Sequence, residues 1–225
     1  LPIGYGPDEL REKVATLGAF LSSHPQLFPE VLTDDAFPAR LEADALAILE
    51  HEETVRRFLQ ADPRFVAVCH WNTNIDNAWF WRETDGTLHC GLLDWGMVRP
   101  MNVATGLWGG LSASPTAFIV KELDGLLDHY RRELAAHGGP ELPADLIALH
   151  FDLSLTLTGL SMMMDLPALI GARLPEIRAA TGPFDPLLRQ DKVVEGFLLV
   201  ATNFLTLWAS REFGRSLQRM LAMSS

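Results

Sequence analysis

The segment VCHWNTNIDNAWFW, residues 68–81, crowds His70, Asn72, Asn74, Asp76 and Asn77 between apolar runs, and LLDWG, residues 92–96, carries Asp94 to the end of another. Polar side chains this dense beside strands hold something. The runs AWFW (78–81) and LHCGLL (88–93) flank the turn signal Thr84-Asp85-Gly86, which predicts a hairpin from about 78 to 93. Antiparallel strands bring their far ends together, so Asn77 before one strand and Asp94 after the other are expected to be neighbours. An amide oxygen beside a carboxylate is a hard-oxygen pair suited to Mg²⁺.

Rival chemistries are weaker. Cys69-His70 and His89-Cys90 contain zinc-ligand types, but successive strand residues point to opposite faces, which keeps either pair from converging on one ion. His70 reads as a core histidine bonded to a backbone carbonyl. Asp94 alone could be a turn cap, but its place after Gly-Leu-Leu and before Trp-Gly favours metal. Trp79 and Trp81 share one strand face and Phe80 the other, and core packing is the expectation for all three and for Trp95.

The elements that must position these residues are mostly helical. Residues 7–23 predict a helix with Pro7 in its first turn and Leu10, Val14, Leu17 and Leu21 on one face. A second helix is expected over about 38–60, a strand over FVAVC (65–69), and further helices near 102–111, 115–136, 143–164, 187–211 and 213–222. Asn102 is the expected cap of the first of these. Met162-Met163-Met164 reads as adaptable filler, and Asp152 and Asp165 on the same helix read as solvated or capping carboxylates or as acids facing a substrate cleft. The fold class is α+β, predominantly α-helical, in a single unit. Residues 1–61 are N-terminal helices, 62–96 the polar loop with one small sheet, and 97–225 a helical subdomain.

The formal net charge of −11 excludes a nucleic-acid binder, which needs clustered Lys and Arg, and favours a cationic or metal-bridged ligand. Two cysteines in 225 residues are no disulfide framework, so a reduced, cytoplasmic setting is expected. Asn203 interrupts the apolar run 196–208, and Asp165 and Pro167 interrupt 153–172, which predicts core helices rather than membrane spans. A start at Leu1 rather than Met predicts a longer polypeptide.

In this order on a hairpin, His70, Asn72, Asn77 and Asp94-Trp95-Gly96 resemble the catalytic loop and metal motif of protein-kinase-like small-molecule phosphotransferases, of the aminoglycoside phosphotransferase and choline kinase type. The loop in that family reads H-G-D, four residues, then Asn, and the later motif D-W or D-F-G. The resemblance spans about 62–111 and implies the C-terminal lobe of a protein-kinase-like fold. It implies Mg²⁺ on Asn77 and Asp94 bridging the phosphates of ATP or GTP, His70 bracing the loop, and position 72 accepting the proton of a small-molecule hydroxyl.

Two departures bear on activity. Asn72 stands where the family has Asp, and a carboxamide cannot take a proton near neutral pH. Trp71 replaces glycine and is expected to crowd the substrate side, and Asp76, the nearest other carboxylate, points away from the site in the family register. Lys13, Lys121 and Lys192 all lie in helical patterns, and Ile3-Gly4-Tyr5-Gly6 lacks the third glycine of a phosphate loop, so the nucleotide-binding N-lobe is not expected in this chain. The implied function is Mg²⁺-dependent γ-phosphoryl transfer to a small, cationic hydroxyl compound, impaired at Asn72. The alternative is an inactive, kinase-like binding or regulatory module. A lobe lacking its partner lobe would expose apolar surface and self-associate as a homodimer.

Overall fold

The computed structural model describes residues 2–224, and Leu1, on which the expectation of a longer polypeptide rests, lies outside them. The fold is α+β and mostly helical. Helix α1 (Pro7–Ser23) begins with Pro7 and places Asp8 and Glu9 against the positive end of its dipole, while Leu10, Val14, Leu17 and Leu21 are buried. The single helix expected over 38–60 is two, α2 (Phe37–Glu50) and α3 (Glu52–Ala61), separated at His51 (φ −105°, ψ 14°). Both halves keep a helical apolar period, so periodicity could not register a break at one residue.

Antiparallel ribbons replace the one small sheet that was expected. Strand β1 (Val66–His70) pairs with β4 (Val98–Asn102), His70 opposite Val98 and Val66 opposite Asn102. Strand β2 (Ala78–Arg82) pairs with β3 (Leu88–Leu92), Ala78 opposite Leu92, with Gly86 at φ 86° in the turn. Strand β4 carries no alternation of apolar and polar residues and contains Pro100, so its only strand signal is its partner.

Helices α4 (Val103–Leu111), α5 (Thr116–Ala136), α6 (Ala144–Met162), α7 (Leu166–Arg173), α8 (Lys192–Arg211) and α9 (Phe213–Ser224) complete the chain. Helix α6 is the hub, buried almost all round from Ile147 to Leu160, and α4, α5, α8 and α9 pack on it. The helix expected at 143–164 stops at Met162, leaving Met163 and Met164 buried in a turn, and Asp165 begins the separate α7. The helix expected from 187 starts at Lys192, where the Asp191 carboxylate accepts the Val193 and Val194 N–H groups.

By length and composition α8 could cross a bilayer, and α6 with α7 passes the same test as a pair bent by 43°. In this fold Val194, Leu198 and the run 201–208 of α8 are buried in the protein core. Asn203 in that run points inward and donates to the Ser112 and Ser114 carbonyls, both at 2.8 Å.

The aromatic expectation is overturned. Trp79, Phe80, Trp81 and Trp95 are exposed, Trp79 to 61%, and among the described residues β2 and β3 pair only with each other. Asp152 is also corrected, whereas Asp165 is solvated, as one of its readings had it. Asp152 is neither solvated nor facing a cleft but buried against Arg211, and Asp165 is exposed and paired with Lys13.

Candidate functional site

Strand β1 ends on His70, which is buried and joins the arms of the site. Its Nε2 lies 2.7 Å from the Leu93 carbonyl oxygen, and its Nδ1 accepts the Asn72 N–H at 3.2 Å. An accepting Nδ1 leaves the proton on Nε2, so the ring is a neutral donor to Leu93. His70 is thus bonded to Leu93 on one side and Asn72 on the other.

The amides after His70 satisfy one another. Asn74 Oδ1 accepts the Asp76 N–H and caps the turn Ile75–Asn77, while Asn74 Nδ2 donates to Asn72 Oδ1 at 2.7 Å. Asn77 Nδ2 donates to the Asn72 carbonyl at 2.8 Å, and the Asn77 carbonyl accepts the Leu93 N–H at 2.8 Å, extending the β2–β3 ribbon by one pair. A carbonyl can only accept, so this contact fixes the orientation of the Asn77 amide and leaves its Oδ1 without a donor among the described residues.

One residue after Leu93, Asp94 adopts the left-handed conformation (φ 53°, ψ 62°), and its exposed carboxylate accepts no hydrogen bond among the described residues. Asp tolerates that region better than most residues, but the conformation still costs of order 1 kcal/mol or more, and such strain clusters at functional sites. The ribbon thus brings Asn77 and Asp94 to the same end, as expected, with an amide oxygen and a carboxylate open. No group of three His, Cys, Asp or Glu side chains among the described residues could cage a metal. A two-residue oxygen set still fits Mg²⁺, which keeps several waters and takes its other ligands from phosphates.

Residues that the sequence reading missed hold the loop from below. Asn102 caps α4 as expected, accepting the Ala104 N–H at 2.9 Å, and its Nδ2 donates to the Leu59 carbonyl at 2.7 Å and to His150 Nδ1 at 2.8 Å. His150 stacks on Phe65 at 3.8 Å, and burial pulls its pKa down to about 4, so it is neutral and free to accept. Thus anchored, α4 runs beneath the loop on a face of glycines. A Cβ at Gly109 would sit 1.7 Å from the Trp71 carbonyl oxygen, one at Gly110 2.4 Å from Thr73 Oγ1, and one at Gly106 2.9 Å from Cys69 Cβ. Trp71 lays part of its indole against Gly109.

A signal for this was present. Three glycines in a nine-residue helix oppose helix propensity by about 1 kcal/mol each, a conflict that marks a close approach. Gly109→Ala is expected to destabilise the protein by about 1–3 kcal/mol in urea unfolding, because the obstructing atom is backbone and cannot swing aside. Gly125→Ala in α5, where a Cβ meets nothing within 4 Å, is the control and is expected to stabilise by about 0.4–1 kcal/mol. No family model, curated protein or solved structure matches this chain.

Proposed function

We propose that this chain is the catalytic-loop and metal-binding lobe of a kinase-like small-molecule phosphotransferase, taking Mg²⁺ with ATP or GTP on Asn77 and Asp94. The observation that carries the reading is the pair of open oxygen acceptors. The contact from Asn77 Nδ2 to the Asn72 carbonyl leaves the Asn77 oxygen without a donor among the described residues, and Asp94, in left-handed backbone just after the other strand, has an exposed carboxylate. Mg²⁺ held there supplies charge neutralisation to the β- and γ-phosphates. His70 keeps the two strand ends in register, and position 72 faces the phosphoryl acceptor, a small and cationic hydroxyl compound in keeping with the acidic balance.

Asn72 limits the chemistry. Its amide oxygen takes a hydrogen bond from Asn74 Nδ2, and a carboxamide can orient a hydroxyl but cannot remove its proton near neutral pH. The same feature favours a second reading, an inactive binding or regulatory module that retains the nucleotide and metal. Lys13, Lys121 and Lys192 all pair with carboxylates on helices, so a phosphate-binding lysine would come from another lobe. The exposed side chains of Trp79, Phe80, Leu88 and Trp95 offer a surface for such a lobe or for a second copy of the chain. Two free thiols, Cys69 and Cys90, fit a reducing cytoplasm.

Thermal and urea unfolding with Mg²⁺ and ATP test the shared element of both readings. Nucleotide at a hundred times its Kd is expected to add about 2.7 kcal/mol of stability. The gain is expected to vanish in Asp94→Asn and without Mg²⁺. An unchanged midpoint for the unmodified chain would sink both readings.

A further inference from the structure

Along β4, from Arg99 opposite Cys69 to Asn102 opposite Val66, a cleft of about 670 Å³ opens between α3, β4, α4 and α6. Arg56 and Arg99 line it, and no Asp or Glu does, although the chain carries 29 acidic residues against 18 Lys and Arg. Arg99 makes no hydrogen bond or ion pair with any described residue, whereas Glu52 holds Arg56 in place at 2.6 and 2.8 Å. Thr105 and Thr158 add hydroxyls, and Leu59, Met101 and Leu157 form an apolar wall.

Each half of this lining selects one half of a ligand. A guanidinium without an internal partner, on a protein of net charge −11, marks a place where an anion is attracted against the prevailing field. Its planar fork matches a carboxylate with two parallel bonds. The apolar wall beside it rewards a hydrocarbon body and offers nothing to a bare inorganic ion. We propose that the cleft binds a small amphipathic carboxylate, its head on Arg99 with Arg56 behind, and its tail against Leu59, Met101 and Leu157. The site is separate from Asn77 and Asp94 and does not depend on the phosphotransferase reading.

Calorimetric titration of the chain with octanoate at low ionic strength tests this, with octanol as the uncharged analogue. Octanoate is expected to saturate a single site, and octanol to bind at least about tenfold more weakly. Arg99→Gln, an exposed strand position, is expected to weaken octanoate by about 10–100-fold with an unchanged unfolding midpoint. Met101→Glu, which places a like charge where the tail lies, is expected to weaken it by a similar factor, while Arg189→Gln on a remote surface leaves it unchanged. Octanoate that fails to saturate, or that binds Arg99→Gln as tightly as the unmodified chain, overturns the proposal. Equal affinity for octanol does so too, since the arginines would then play no part.

Discussion

Asn72→Asp is expected to raise phosphoryl transfer from ATP by about 10²–10⁴-fold, the usual contribution of a positioned general base. The substitution changes an amide nitrogen to oxygen and leaves every backbone contact at the position in place. The Asn72 N–H still reaches His70 Nδ1, and its carbonyl still receives Asn77 Nδ2. The donor on Asn74 that now meets the Asn72 amide oxygen would meet a carboxylate oxygen equally well, which favours the ionised form and holds the new carboxyl below its ordinary range. A depressed pKa keeps the base ready at neutral pH, with activity falling only as pH drops through the carboxylate range. Water serves as acceptor for the assay, so the readout is ADP released with Mg²⁺ and ATP, and no substrate need be known. A variant no faster than the parent would mean that proton removal is not what limits this site, and would favour the inactive binding module.

The largest loss of stability is expected from Arg211→Leu, about 3–5 kcal/mol in urea unfolding at neutral pH. Asp152 lies in α6 at 6% exposure, where its two oxygens take the Arg211 Nε–H and the Ser216 hydroxyl, each at 2.7 Å. Arg211 also reaches Asp124 on α5 at 2.7 Å, so one guanidinium at the end of α8 ties α8 to α5 and α6, and Asp152 carries the link on to α9 through Ser216. Removing it strands a buried carboxylate, and that uncompensated charge is the source of the cost. Burial already pushes the Asp152 carboxyl up, against the pull of Arg211 and Ser216. Without Arg211 the folded pKa rises further above its unfolded value. The folded variant then binds more protons than the unfolded chain as pH falls through that window, so the deficit is expected to shrink towards pH 5. The double variant Asp152→Leu with Arg211→Leu removes both charges and is expected to recover most of the loss. A single-variant cost below about 1 kcal/mol would show that the pair does not lock these helices.

Much of the site was legible because its signals are local. The helix at 7–23, the hairpin from 78, the cap at Asn102 and the polar spacing of His70, Asn72, Asn77 and Asp94 all follow from turn chemistry, periodicity and residue type over short spans. The Asn77 oxygen left without a donor among the described residues and the left-handed backbone at Asp94 were not legible, since both depend on contacts made after the ribbon forms. Strand β4 is a strand only through its pairing with β1, and the Gly106, Gly109 and Gly110 face has meaning only once the loop lies on it. Whether Trp79 and Trp81 are buried depends on a second layer, which strand alternation does not report. The sequence by itself therefore determined which polar side chains the loop and ribbon gather, and that the body around them is helical. Tertiary structure decided how they are held, because bonds such as His70 to Leu93 across 23 residues and Asn102 to His150 across 48 join segments whose separation no local pattern encodes.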